Sequence, residues 1–128
     1  MTIALFTDTD LTKRARKIAR VAGVKNFSDE QLQFYMQNLP AEFARYSEQQ
    51  KSDYLSLNAG LVAMNLVLAL TDQGIGSNII LGFDKSKVNK VLEIDERFRP
   101  ELLITVGYTD EKLEPSYRLP VDEIIEKR

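Results

Sequence analysis

The run Tyr54-Leu55-Ser56-Leu57-Asn58-Ala59-Gly60-Leu61-Val62-Ala63-Met64-Asn65-Leu66-Val67-Leu68-Ala69-Leu70-Thr71 holds no charged residue over eighteen positions. A stretch of that length raises the question of a membrane helix. Ser56, Asn58, Gly60 and Asn65 interrupt it. Two amides near mid-bilayer are costly, and no aromatic belt or Lys/Arg cluster flanks both ends. A helix that is apolar all round is one buried on all sides. The expectation is therefore a helix from Asp53 to Gln73, closed by Gly74, lying in a core or at a subunit interface rather than in a membrane. The N-terminus, Met1 to Asp8, has no basic leader, and its apolar stretch ends after a few residues. It does not read as a signal peptide, so the expected location is cytoplasmic.

On the N-terminal side of this helix, Thr2 to Thr7 reads as a buried strand through Ile3, Ala4, Leu5 and Phe6. Leu11 to Ala22 has helical periodicity, with Gly23 as its stop. Ser28-Asp29-Glu30-Gln31 has the form of a capping box and starts a helix to about Asn38, which Pro40 interrupts. Pro40 to Ser52 is polar, with Phe43 and Tyr46 as anchors. On the C-terminal side, Gly74-Ile75-Gly76-Ser77-Asn78 reads as a flexible turn. Asp84 caps a helix over Lys85 to Glu93, and Asp95 to Pro100 is a charged turn. Leu102 to Tyr108 has the strongest strand composition in the chain. A short helix begins at Val121, with Ile124 and Ile125 on one face. Few strands among several helices make the chain α+β, with a small sheet and a long central apolar helix. That helix carries more apolar surface than 128 residues easily cover, so a partner surface is expected. No linker or repeat divides the chain, and 1–128 reads as a single domain.

Composition narrows the chemistry. The chain has no Cys, no His and no Trp, which removes disulfides, thiolate and imidazole nucleophiles, and metal sites needing sulfur or imidazole. No metal ligand set and no catalytic side chain is assigned. Hard chemistry, if any, would be carried by a cofactor. A net charge of -2 gives no reason to expect nucleic acid or a membrane surface. The basic stretch Lys13, Arg14, Arg16, Lys17, Arg20 and Lys25 could attract phosphate or RNA. It is more simply a solvated helix face, without aromatic residues for base stacking. The carboxylate pairs Asp8/Asp10, Asp95/Glu96, Asp110/Glu111 and Asp122/Glu123 sit in turns or at helix starts and read as caps.

Gly74-x-Gly76-Ser77, leading to Gly82, is neither a phosphate loop nor a dinucleotide fingerprint, because it follows a helix and lacks Gly-Lys-Ser/Thr. By pattern alone it is a turn whose glycines permit close approach to a flat ligand. By itself, Arg118 reads as a surface ion-pair residue.

Four elements taken together resemble the nitroreductase family. Asp53 to Gly60 with Ala63 to Ala69 is similar to its central helix, and Gly74 to Asp84 to the flavin-facing turn after it. Leu102-Leu103-Ile104-Thr105-Val106-Gly107-Tyr108 is similar to its late strand ending in Gly-Tyr. Tyr117-Arg118-Leu119-Pro120 matches its C-terminal Arg-x-Pro signature. The resemblance implies an α+β homodimer, joined through the 53–73 helix, that binds FMN at the subunit interface. It also implies hydride transfer from NADH or NADPH to the flavin and on to nitroaromatic, quinone or flavin acceptors. The stretch Ile79, Ile80, Leu81 and Gly82 would bind the cofactor, with backbone groups of Ile80 to Gly82 at the isoalloxazine edge and the Leu81 amide nearest N5. Fixed amide donors stabilise a reduced ring without titrating. Arg118 would hold the FMN phosphate, as a guanidinium fork suits it.

Two departures stand out. Many relatives have a Lys two residues before the Arg, where this chain has Ser116. Family members also open with an Arg-rich segment, of the form Arg-Arg-Ser-x-Arg, and further helices before a strand like Ile3 to Phe6. The chain is therefore expected to correspond to the C-terminal half to two-thirds of the family fold. An alternative function is a non-catalytic remnant that only dimerises or binds another chain through the apolar helix.

Overall fold

The apolar run at the N-terminus forms strand β1 (Thr2–Asp8), as its composition predicts. The structure is a computed structural model and describes residues 1–15, 17, 21, 27–110 and 117–126. Residues 11–15 are helical, with Leu11 and Ala15 buried. Asp10 starts this segment, its carboxylate accepting from the Lys13 N–H at 2.9 Å. Most of the rest of the expected 11–22 helix, with Arg16 and Arg20 of the basic stretch, lies outside the described residues, as does Lys25 beyond it.

Helix α1 (Asp29–Arg45) opens on the expected capping box: Ser28 Oγ accepts from the Gln31 N–H, and Gln31 Oε1 accepts from the Ser28 N–H. It does not stop near Asn38. The helix runs through Pro40, which is buried beside the Leu39 and Phe43 positions. A proline removes one hydrogen bond and crowds the preceding turn; here burial of Pro40 and Phe43 holds the helix together across it.

Helix α2 (Glu48–Asp72) begins five residues earlier than its charge-free run suggests. Ser47 and Gln50 make a second capping box, closing the first turn at 3.2 and 2.8 Å. Its C-terminus is a glycine stop. Gly74 has φ +71°, and the Ile75 N–H donates back to the Leu70 carbonyl at 2.9 Å, the six-to-one bond of a left-handed cap.

The expected turn after Gly74 is half strand: β2 (Gly76–Ile80) starts at its second glycine. Asp84 then caps α3 (Lys85–Val91). Strand β3 (Phe98–Gly107) begins four residues before Leu102, absorbing the second half of the expected charged turn. Pro100 is accommodated because β2 pairs only with residues 103–107. On the β1 side the register shifts between Leu5 and Phe6, so Glu101 is bypassed. The three strands form one antiparallel sheet in the order β1-β3-β2. A short α4 (Val121–Ile124) lies in the described part of the tail.

Two apolar clusters make the core. Leu11, Ala15, Phe43 and Leu55 form one, with Leu39 and Tyr46 against it. Ala63, Leu102 and Ile104 form the other, joined by Ile3, Leu5, Leu66, Val67 and Val106. Helix α2 supplies a residue to each.

Candidate functional site

The residues α2 turns inward are mostly small. Leu55, Ala59 and Ala63 are buried at a spacing of four, and Ala63 lies against the fully buried Ile104. Short side chains let the helix sit close to the sheet. The large apolar residues point the other way: Leu57, Leu61 and Leu68 are each about 60% exposed, and Val62 and Met64 about half. By length and composition α2 could cross a membrane. Its inner flank, however, is packed on the sheet through Leu102 and Ile104. One face of the helix is thus packed and the opposite face is apolar and exposed.

At the end of this helix the chain turns into β2. Ile79 pairs with Ile104 and Ile80 with Leu103, so the strand is anchored to the central strand of the sheet. Leu81 and Gly82 then leave the sheet. The Leu81 side chain is two-thirds exposed, its carbonyl accepts from the Phe83 N–H at 3.1 Å, and a Cβ on Gly82 would meet nothing within 4 Å. The 81–82 stretch is thus exposed just past the end of β2. Asp84 fixes the far side. It accepts from the Ser86 N–H and Oγ–H and pairs with Lys87 at 2.8 Å, and these contacts, Lys87 foremost, hold its carboxyl below the ordinary aspartate value.

Arg118 lies in the extended segment before α4, with its Nη1 donating to the adjacent Tyr117 carbonyl at 2.7 Å. The hydrogen bond described for Arg118 is local, and among the described residues none joins it to Ile79–Gly82. Ser116 lies outside the described residues. Ile79, Ile80, Leu81 and Gly82 are therefore gathered by the fold, and Arg118 is presented on an exposed tail.

Sequence reasoning missed a polar clamp between β3 and α2. Arg99 Nε donates to Glu101 Oε1 at 2.7 Å, while its Nη groups reach the Ser52 hydroxyl and carbonyl and the Ser56 hydroxyl. Glu101 is buried and also accepts from Thr7 Oγ1. Arg99 was expected in a charged turn and Glu101 just before the strand, and their target on the helix was not legible. Asn89, also buried, donates to the Asp95 and Phe98 carbonyls and so ties down the connection into β3. A cavity of about 390 Å³ lies between β1 and α2, with Asp8, Arg14 and Asn58 at its rim. Asp8 there is paired with Arg97 at 3.2 Å and accepts from the Asp10 N–H. Among the described residues no cluster of His, Cys, Asp or Glu could hold a metal ion.

A three-stranded antiparallel sheet carrying a long apolar helix defines an α+β protein. The model of the nitroreductase family matches residues 3–108. The chain belongs to the nitroreductase family. A Streptococcus pyogenes protein named as an NAD(P)H nitroreductase is 67% identical over 126 residues, covering 98% of this chain and 62% of its own length. The crystal structure of a nitroreductase family protein from Streptococcus pneumoniae is 90% identical with a TM-score of 0.91, covering 99% of this chain and 64% of that one. A Staphylococcus epidermidis structure, described as an NAD(P)H:FMN oxidoreductase, is 25% identical with a TM-score of 0.87 and covers 98% and 60%. The chain thus spans somewhat under two thirds of the length of these relatives.

Proposed function

We propose that the chain is the flavin-facing part of an FMN-dependent NAD(P)H oxidoreductase, cytoplasmic and homodimeric through α2. The observation that carries this is the open Leu81–Gly82 stretch at the end of β2, the strand that follows the helix whose outer face is apolar. Family membership and the names of the S. pyogenes and S. epidermidis relatives support it.

The residues present fit FMN. Ile79 and Ile80, held by β3, orient the edge, and Leu81 and Gly82 offer main-chain groups to the ring without a side chain in the way. Arg118 offers a guanidinium to the phosphate. Bound there, FMN would supply the redox chemistry, accepting hydride from NADH or NADPH and passing it to a nitroaromatic, quinone or flavin acceptor. The chain's own part is to position the ring, keep water from it with the apolar residues of a second copy, and offer fixed donors rather than titrating groups.

Titration with FMN, followed by flavin fluorescence on a sample whose mass is read by light scattering, tests the reading. Saturable quenching on a dimer is expected. Gly82→Val is expected to lower FMN retention at least tenfold while leaving unfolding of the flavin-free protein unchanged, because the added side chain meets open space. Arg118→Ala is expected to weaken retention with the fold intact. A dimer that retains no FMN would overturn the flavin reading and leave a non-catalytic interaction module.

A further inference from the structure

The cavity of about 390 Å³ between β1 and α2 lies apart from Ile79–Gly82, none of which lines it. Leu57, Leu61 and Leu68 do not line it either, so it is distinct from the outward face of α2. Its volume falls within the range of small-molecule sites, which combine apolar walls with a few polar groups. The buried Leu55 and Ala59 of α2, with Leu5 of β1, give it an apolar lining. Phe6, Tyr54 and Phe98 add three aromatic rings. Two of these rings are held by their own neighbours. Tyr54 meets Phe43 and Tyr46 edge-on, with centroids 5.1 and 6.4 Å apart, and the Arg97 guanidinium lies 4.5 Å from the Phe98 ring centre. Rings already fixed lose little freedom when a flat ligand packs against them.

The charges at the cavity do not cancel. Asp8 is neutralised by Arg97 at 3.2 Å. Arg14 also lines the cavity, is exposed, and among the described residues has no carboxylate partner. Its turn is fixed, since the Arg14 N–H donates to the Asp10 carbonyl at 3.0 Å while Leu11 and Ala15 are buried. One positive charge is left at the edge of an aromatic-walled cavity.

We infer that this cavity binds a planar aromatic anion, its rings against Phe6, Tyr54 and Phe98 and its carboxylate on the Arg14 guanidinium. A guanidinium takes a carboxylate through two parallel N–H bonds, and the net charge of the lining disfavours a cation. Three rings favour a flat aromatic body over a flexible aliphatic chain of the same charge. The volume accommodates fused rings bearing a carboxylate. This site does not depend on flavin or on pairing of the chains.

Naphthoate is the probe, followed by its fluorescence anisotropy with the whole chain. Saturable binding of a single molecule per chain is expected. Naphthalenemethanol keeps the rings without the charge, and octanoate keeps the charge without the rings; each should compete at least tenfold more weakly. Arg14→Gln should weaken naphthoate binding at least tenfold with urea unfolding unchanged. Lys13→Gln, one residue away and not lining the cavity, should leave it as it was. Equal losses in the two variants would reduce the effect to general charge and overturn the site. Val62→Trp puts an indole on the half-exposed rim and should block binding with no change of charge; unaltered binding would place the ligand elsewhere. Excess FMN should not displace naphthoate, and competition between them would assign the probe to the Leu81–Gly82 stretch and overturn a separate site. No saturable binding, or octanoate as tight as naphthoate, would overturn the inference outright.

Discussion

Single residues record where the backbone is under constraint. Glu93 lies just past the end of α3 with φ 54°, in the left-handed region, while the Ile94 N–H returns to the Asn89 carbonyl. A side chain there is disfavoured by roughly 1 kcal/mol relative to glycine. Glu93→Gly should therefore stabilise the fold by about that amount in urea unfolding. At Gly74 the reasoning reverses: Gly74→Ala should destabilise by roughly 1 kcal/mol, because φ +71° is strained for any side chain. Asp84 gives a pH dependence. Its carboxyl is held below the ordinary value by Lys87 and Ser86, so its contribution is present above that ordinary value and disappears as pH falls through the lowered one. Asp84→Asn should reduce the helicity of the α3 segment at neutral pH and make no difference in strong acid.

At the scale of elements, the Arg99 clamp joins β3 to α2. Removing one partner of a buried ion pair strands the other. Arg99→Met should cost roughly 3 kcal/mol by leaving Glu101 with only Thr7, and adding Glu101→Leu should recover much of that loss in a double-mutant cycle. The same scale shows what could be read in advance. β1, the body of α2, the Ser28 box and the Asp84 cap were legible because local chemistry alone specifies them. Ser47-Glu48-Gln49-Gln50 carried an equally plain cap signal, masked by the polar composition around it. Pro40 misled because tertiary burial outweighed a local penalty. β3 began early because pairing with β1 recruits Phe98 to Pro100, a partnership no local pattern announces. Of the candidate site, the glycine turn was legible as a turn from its pattern, but a cofactor role for it and for Arg118 came only through family resemblance.

For the whole molecule, the two sides of α2, one packed on the core and the other exposed, separate two effects of mutation that its sequence alone would merge. Val67 packs against the Ala63–Ile104 cluster, whereas Leu61 does not. Val67→Glu should abolish folding, read as loss of cooperative unfolding. Leu61→Glu should leave a folded monomer by light scattering. If the outer face is an interface, the melting temperature should also rise with protein concentration, because association is then part of stability.

Helix α2 reaches both apolar clusters, placing Leu55 in one and Ala63 in the other, with the buried Ala59 between them. The two clusters therefore cannot open independently without tearing this rod from one of them. Native-state hydrogen exchange should show one slow group of amides running continuously from the Leu55 turn to the Ala63 turn and into the middle of β3, released together at a single opening free energy.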